Sequence, residues 1–160
     1  MFTQEQLKQL FDYRDDGVLV WKSPLGCKTK PGTVAGFLKK KSGYIEIGVG
    51  RKIYQAHRLI FMWHTGDSPG EVDHINRIRH DNRIENLRSI TRSDNTANSS
   101  AVRASSGYRG VSWHKNHKYF QCRIRKNGLL IHLGEYADPV EASAVYEAAR
   151  KELFPGVFNL

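Results

Sequence analysis

Residues 71–95 carry polar side chains of types that can do chemistry. Asp73 and His74 stand side by side after the apolar Val72, and asparagines recur in the residues that follow. Asparagine favours neither helix nor strand, but its amide group donates and accepts hydrogen bonds and its oxygen can bind a hard metal ion. We therefore interpret this segment as a functional site.

A carboxylate beside a histidine, as in Asp73 and His74, is suited to the hydrolysis of a phosphodiester bond. The reaction needs an activated water molecule, neutralised charge on the phosphate and help for the leaving oxygen. A histidine can take the proton of water at neutral pH, and a carboxylate with an amide oxygen can hold one divalent ion. Because neighbouring residues of a strand point to opposite faces, Asp73 and His74 cannot have identical roles. We assign Asp73 to a metal ion and His74 to the general base.

The segments around this pair predict a strand, a polar loop, a second strand and a helix. The first strand is "VDH" and the second is "LRSI". Thr91 and Asp94 have the spacing of a capping box, which predicts a helix that begins at Arg92. Upstream, apolar residues recur at helical spacing and predict another helix with one buried face. These residues are Ala56, Leu59, Ile60 and Trp63.

Local signals also predict the elements nearer the N-terminus. Thr3 and Gln6 form a capping-box pattern, which predicts a helix from about residue 4 to Phe11. The segment "VLVW" is strand-like, and "GYIEIGVG" with "RKIYQ" predicts a hairpin.

This order of elements and residues resembles the HNH nuclease motif of the ββα-metal fold, in the His-Asn-Asn variety found in phage homing endonucleases. The resemblance covers His74, then Asn86 in "ENLR", then Asn95, with "AHRL" at residues 56–59 upstream. It implies that Asp73 and Asn95 bind one divalent cation and that His74 is the general base. It also implies that Asn86 orients the histidine or pins the loop.

The implied cation is Mg²⁺, with Mn²⁺ as an alternative, because a carboxylate and a neutral amide oxygen suit hard cations. Cys27 and Cys122 are too few and too far apart for a zinc cage built on cysteine. We therefore expect no structural zinc, and we expect both cysteines to be reduced thiols.

Other polar residues near the site are interpreted as structural. Asn76, Asn82 and Asn98 are of a type that is common in turns and loops. His80 is expected to be a solvated loop residue, and His57 is expected to pack or to form a hydrogen bond behind the site.

Residues 107–160 have a different character. Strand-like segments recur at regular spacing, and "KNG" predicts a tight turn between the second and third of them. These segments are "YRGVSW", "YFQCRIR" and "LLIHLG". Asp138 then supplies an N-cap, Pro139 a first-position proline and Glu141 a capping-box partner for a long helix. We predict a small domain with three strands and one packed helix.

Polar and apolar residues alternate along "YFQCRIR", so one face of this strand is polar and basic while the other faces a core. The polar set is Tyr119, Gln121, Arg123 and Arg125. A sheet with such a face can lie in the major groove of DNA, where arginine reads guanine and glutamine reads adenine.

Residues 107–159 resemble the AP2 DNA-binding domain of plant transcription factors and of phage HNH nucleases. The resemblance rests on the three strand segments, on "IHLGEYADPVEASAVYEAA" and on the closing "FNL". It implies DNA contacts by a set of residues on and near the sheet. This set is Arg109, Trp113, Tyr119, Gln121, Arg123, Arg125 and His132.

The chain contains 25 Lys and Arg against 16 Asp and Glu, a formal net charge of +9, which favours a polyanionic partner. Several lysines in the basic segment that follows "VLVW" are candidate phosphate contacts, and a basic solvated loop is an equal alternative. They are Lys28, Lys30, Lys39, Lys40 and Lys41. No apolar run approaches the roughly 20 residues that span a bilayer, and the N-terminus lacks the features of a secretory signal. We expect an intracellular protein.

These observations predict an α+β protein in three parts. They are a ββα-metal (HNH) nuclease region at residues 1–97, a linker at 98–106 and an AP2-like three-stranded antiparallel sheet packed on one helix at 107–160. The resemblance implies a homing-type endonuclease that hydrolyses double-stranded DNA, encoded by a phage and active in the cytoplasm of a bacterial host. A monomer would nick one strand, whereas a homodimer could break both.

Three other functions stay open on the sequence alone. A non-catalytic DNA-binding regulator with the same scaffold would show no effect of Mg²⁺ on cleavage or affinity. An RNA-processing or recombination nuclease would differ in its preference among duplex DNA, single strands and RNA. A structural or inhibitory protein would be unchanged by His74→Ala.

Overall fold

The computed structural model describes residues 2–23, 29–68, 70–99, 104 and 106–158. The chain divides into two compact units, residues 1–90 and 91–160. Cys27, Lys28, most of the predicted linker and the last two residues of "FNL" lie outside the described residues.

The first unit alternates short helices with small antiparallel sheets. Its elements are α1 (Gln4–Leu10), β1 (Phe11–Arg14), β2 (Val18–Trp21), β3 (Phe37–Leu38), β4 (Ile45–Val49), β5 (Lys52–Gln55), α2 (Ala56–Thr65), β6 (Glu71–His74), a 3₁₀ turn (Ile84–Asn86) and β7 (Leu87–Ile90). The strands pair as β1-β2, β3-β4-β5 and β6-β7. Residues 75–83, which connect β6 to the 3₁₀ turn, are called the polar loop below.

The capping box at Thr3 begins α1 as predicted. Gln6 N–H donates to Thr3 Oγ1 over 3.2 Å, and Thr3 N–H donates to Gln6 Oε1 over 3.0 Å. The helix ends at Leu10, one residue before the predicted end, because Phe11 already has extended backbone and enters β1. Phe11 is fully buried, and α1 packs against α2.

Helix α2 lies beneath the β6-β7 hairpin and connects it to the core. Its apolar face is buried as the helical spacing predicted, with Ile60 fully buried and Leu59 nearly so. The helix contacts β4, β5, β6 and β7. It ends at Thr65, and the next residue, Gly66, has a positive φ of 80° and forms a left-handed C-cap that glycine adopts without strain. The hairpin is therefore supported on one side by a buried helix.

The second unit consists of an antiparallel sheet with helices around it. Its elements are α3 (Arg92–Asn98), β8 (Val111–His114), β9 (Tyr119–Lys126), β10 (Leu129–Tyr136), α4 (Pro139–Leu153) and α5 (Pro155–Phe158). The strand order is β10-β9-β8, and α4 packs across all three strands. Asp138 accepts hydrogen bonds from Val140 N–H and Glu141 N–H, as its N-cap position predicted.

The core of the second unit lies between the sheet and α4. Buried residues there include Val111, Cys122, Ile124 and Tyr146. Cys122 is a free thiol whose pKa is raised by burial. Gly110 has a φ of 69°, and a Cβ at this position would overlap the ring of Tyr146, so only glycine fits.

Helix α3 groups with the second unit, whereas the sequence pattern predicted a nuclease region that extends to residue 97 and so includes this helix. It begins at Arg92, directly after the predicted N-cap residue Thr91, whose side chain accepts a hydrogen bond from Asp94 N–H. Side chains of the second unit then hold it: Arg150 donates to Ala97 O over 2.9 and 2.6 Å. These bonds are between residues far apart in the sequence, which is why local patterns gave no sign of them.

Candidate active site

Asp73 and His74 lie at the end of β6 and face opposite sides of the hairpin. His74 is only 4 % exposed, whereas Asp73 is half-buried. Asp73 lies opposite Arg88 on β7, and His74 lies opposite Leu87. The alternation of side chains along a strand separates the two groups in the way that the sequence predicted.

Asp73 forms an ion pair with Arg88. Arg88 Nη2 and Nε lie 2.9 and 3.1 Å from Asp73 Oδ2, and both side chains are largely shielded from solvent. The pair joins the two strands of the hairpin and fixes the direction of the carboxylate. Arg88 could not be assigned a role from the sequence, because its pairing with Asp73 depends on a strand register that local patterns do not define.

His74 is held by a second buried residue, Asn82. His74 Nε2 lies 2.9 Å from Asn82 Oδ1, and Asn82 is 1 % exposed. An amide oxygen can only accept, so Nε2 donates the hydrogen in this bond, and in the neutral imidazole the lone pair is then on Nδ1. Asn82 was interpreted as a turn residue, and no feature of the sequence distinguished it from the other loop asparagines.

His57 packs against the other side of the His74 ring. The two ring centroids are 4.9 Å apart in an edge-to-face arrangement, and the ring of Tyr44 lies 5.2 Å from His57. Burial, followed by the nearby His74 and Arg58, lowers the pKa of His57 to about 3. His57 is therefore neutral at pH 7, as expected for a residue that packs behind the site.

Asn86 holds the polar loop in place. Its Oδ1 accepts from Asn76 N–H over 2.9 Å, and its Nδ2 donates to Asn76 Oδ1 over 3.0 Å and to Asp81 O over 2.7 Å. These bonds join residues that are five and ten positions before Asn86 in the sequence. Of the two roles implied for Asn86, pinning the loop is the one that these contacts support.

The polar loop has further internal bonds that involve charge. Arg83 donates to both oxygens of Asp81 over 2.8 Å, and Asn76 Nδ2 donates to Asp81 Oδ2 over 2.6 Å. The hydrogen bond from Arg83 is the main cause of the lowered pKa of Asp81. The loop therefore keeps its shape through side chains, since it has no strand partner of its own.

The β1-β2 hairpin contacts the end of the polar loop and the 3₁₀ turn that follows it. Ile84 N–H donates to Tyr13 Oη over 3.1 Å. Gly17 has a φ of 82°, and a Cβ there would collide with the backbone of Asn82 and Arg83. The N-terminal hairpin thus touches the loop that holds His74, a relation that the sequence did not reveal.

Asn95 lies in the first turns of α3, in the second unit, and is half-buried. That Asp73 and Asn95 bind the same cation stays a prediction, which rests on the spacing of residues in the sequence. Among the described residues, no cluster of three or more His, Cys, Asp or Glu side chains could hold a metal ion. The predicted pair of ligands, one carboxylate and one amide oxygen, includes only one residue of these four types, so this finding does not test it.

In the second unit, one face of the sheet brings together most of the predicted DNA contacts. Along β9, Tyr119, Gln121, Arg123 and Arg125 share this face by alternation, and His132 on β10 lies opposite Arg123. Arg123, Arg125 and His132 are exposed. Glu135, opposite Gln121, is an acidic member of the same face, and its hydrogen bond to Tyr119 raises the pKa of that phenol.

Arg109 and Trp113 are not part of this face. The Arg109 guanidinium donates to the carbonyls of Thr96 and Ser99 at the end of α3. Trp113 lies opposite Phe120, on the other face of the sheet from Tyr119 and Gln121, and the two ring centroids are 4.7 Å apart. The predicted DNA contacts of these two residues have no support from the sheet geometry.

The predicted lysine contacts lie in the first unit. Lys39 Nζ is 3.0 Å from Glu46 Oε1, so its charge is already paired. Lys40 and Lys41 are exposed in the turn between β3 and β4, and Lys30 is exposed before β3. Both the phosphate-contact interpretation and the solvated-loop interpretation stay predictions for these residues.

A family model described as HNH endonuclease matches residues 54–97. The match includes α2, the β6-β7 hairpin and α3 up to Ala97, and with them Asp73, His74, Asn86 and Asn95. It indicates nuclease activity on DNA for this part of the chain. Neither the comparison with curated proteins nor the comparison with solved structures found a match. In the described part of the chain, no helix is long and apolar enough to cross a membrane.

Proposed function

We propose that this protein is a metal-dependent DNA endonuclease of the homing type. It hydrolyses a phosphodiester bond of duplex DNA and leaves a 5′-phosphate and a 3′-hydroxyl. One observation carries the proposal: Asp73 and the buried, oriented His74 end the same strand inside the segment that matches the HNH endonuclease family. The resemblance further suggests a phage gene and action in the cytoplasm of a bacterial host.

The side chains at this site suit a hard divalent cation such as Mg²⁺ or Mn²⁺. Asp73 supplies a carboxylate, which has about four acceptor positions and so can bind a cation while Arg88 stays in contact. Asn95 supplies the amide oxygen that the sequence predicts. When bound, the cation neutralises charge on the phosphate and helps the leaving oxygen.

His74 is the general base in this proposal. Its Nε2–H is donated to Asn82, so the lone pair on Nδ1 takes the proton of the attacking water. His57 stays neutral beside it and does not add a second positive charge next to the imidazole. Arg88 holds Asp73, and Asn86 holds the loop that carries Asn82.

The second unit selects the DNA sequence, through the exposed face that includes Arg123 and Arg125. This is the AP2-like role that the sequence predicts, and the exposure and alternation of these arginines support it. The commonest specific contact in the major groove is the pair of hydrogen bonds that arginine donates to O6 and N7 of guanine.

The proposal is tested by incubating the purified protein with long duplex DNA in Mg²⁺, in Mn²⁺ and in EDTA. Denaturing and native gels then separate a nick from a double-strand break. We expect cutting in Mg²⁺, loss of cutting in EDTA, and loss of cutting by His74→Ala and by His74→Gln. The matched control is His64→Gln, on the same unit, which should cut like the unmodified protein. Cutting that persists without His74 contradicts the proposal.

A DNA-binding regulator without cleavage is the second candidate function. The ion pair between Asp73 and Arg88 favours it, because an arginine then occupies one side of the carboxylate that would bind the cation. This candidate predicts sequence-selective binding that Mg²⁺ leaves unchanged and no cutting under any metal condition. The gel experiment and a binding titration with and without Mg²⁺ separate the two candidates.

A further inference from the structure

The polar loop presents an apolar side chain to solvent next to the candidate site. Ile78 lies in this loop and is 46 % exposed, and its neighbours Arg77, Arg79 and His80 are also exposed. Single exposed apolar residues are common on protein surfaces and by themselves indicate nothing. Two further properties distinguish Ile78 from an ordinary exposed residue.

The first property is a fixed backbone. Ile78 N–H donates to Asn76 Oδ1 over 2.8 Å, and Ile78 O accepts from Asp81 N–H over 3.1 Å. Asn76 is in turn bonded to the buried Asn86. Arg77 N–H donates to His74 O over 3.0 Å, which joins this part of the loop directly to the end of β6. The exposed side chain therefore stands at a defined place close to His74.

The second property is the set of cationic neighbours. Arg77 has a φ of 63°, in the left-handed region where glycine is free of strain and other residues lose about 1–2 kcal/mol. The loop nevertheless has a long cationic side chain at this position. Arg79 lies over the ring of Tyr44 at 5.2 Å and donates to Ser42 O over 2.8 Å, which anchors the loop to the turn before β4.

We propose that Ile78 is a wedge that enters the minor groove of duplex DNA beside the bond that is cut, an inference that rests on the proposed function. Apolar side chains flanked by cations are the devices that proteins insert between base pairs from the minor groove. Arg77 and His80 contact the phosphates on either side, and Ile78 partly unstacks one base step. Because TA and CA steps unstack most easily, the protein selects sites with such a step next to the cut.

The test uses duplexes that the protein itself selects from a random-sequence pool, all measured in EDTA so that no strand is cut. The fluorescent base 2-aminopurine replaces each adenine of the selected duplex in turn, because its emission rises when it unstacks. We expect a rise at one or two adjacent positions with the unmodified protein. Ile78→Ala should lose the rise and bind about tenfold more weakly, since it loses buried apolar area.

Two variants make this result specific. Ile78→Leu keeps a branched apolar side chain and should restore both the fluorescence rise and the affinity. Ile53→Ala changes an isoleucine of the same unit that is 66 % exposed on β5, and it should behave like the unmodified protein. Circular dichroism checks that each variant is folded.

The outcomes separate the wedge from the nuclease proposal. A rise that persists in Ile78→Ala, or no rise at any position with the unmodified protein, overturns the wedge. A rise that depends on Ile78, in a protein that never cuts DNA in Mg²⁺, supports the wedge as a DNA-binding device and overturns only the nuclease proposal. Cutting without any unstacking supports the nuclease and overturns the wedge.

Discussion

Replacing Asn86 with alanine tests the claim that this residue pins the polar loop. The side chain makes three hydrogen bonds, two to Asn76 and one to Asp81 O, and it is 7 % exposed. A hydrogen bond contributes about 1 kcal/mol net, so the three together give about 3 kcal/mol. Because Asn76 is exposed and water can replace part of the loss, we expect Asn86→Ala to lower the free energy of unfolding by about 2–3 kcal/mol.

The assay is urea unfolding followed by tryptophan fluorescence. The chain has three tryptophans, of which Trp21 and Trp63 lie in the first unit and Trp113 in the second. A Trp113→Phe background therefore reports the first unit alone. The same experiment on Asn86→Asp removes both donated bonds and places a carboxylate near Asp81 O, so the loss should be at least as large.

Gln9→Ala is the matched control, because it removes an exposed amide from α1 of the same unit. It should change the free energy of unfolding by about 0.5 kcal/mol or less. If Asn86→Ala is no more destabilising than Gln9→Ala, the claim that Asn86 pins the loop is refuted.

Three further predictions concern protonation, sequence reading and the metal. His57 stays neutral in the folded state down to about pH 3 but takes a proton below about pH 6.5 when unfolded, so the stability that depends on its neutrality falls as the pH drops through this window. The free energy of unfolding falls by about 1.4 kcal/mol per pH unit well below pH 6.5. Urea unfolding of the unmodified protein and of His57→Asn at several pH values measures this loss. The prediction is refuted if the free energy of unfolding depends on pH equally in the two proteins. Arg123→Ala should weaken binding to the selected duplex by about 1–3 kcal/mol and relax the preference at one base pair, whereas an equal loss on all sequences makes it a phosphate contact. Asn95→Ala should raise the Mg²⁺ concentration needed for half-maximal cutting, and Asn95→Asp should lower it; an unchanged Mg²⁺ dependence in both variants removes Asn95 from the metal site.

Features that depend on neighbours in the sequence were predictable. The caps at Thr3, Thr91 and Asp138 all begin helices, because a capping hydrogen bond spans only two or three residues. The tight turn at "KNG" also follows from local chemistry, since Asn127 and Gly128 both adopt positive φ. The opposite facing of Asp73 and His74 needs only the twofold period of a strand.

Features that depend on register and loop closure were not predictable from one sequence. Arg88 meets Asp73 only because β6 and β7 pair in one register. Asn82 reaches His74 only because the polar loop folds back on itself, and nothing in its local context differs from that of an ordinary loop asparagine. Arg109 was likewise predicted to contact DNA, but it donates to carbonyls at the end of α3, which the local sequence does not place nearby.

The rate of strand cleavage by His74→Ala, measured beside its affinity for the same duplex, tests the central claim most directly. A general base acts in the transition state and adds little to binding, so cleavage in Mg²⁺ should fall by about 100- to 10,000-fold. The Kd measured in EDTA should stay within about twofold of that of the unmodified protein, because the base adds little to ground-state binding. Cleavage that is unchanged by the substitution, or lost only in proportion to a loss of binding, contradicts the assignment of His74 as the base that activates water.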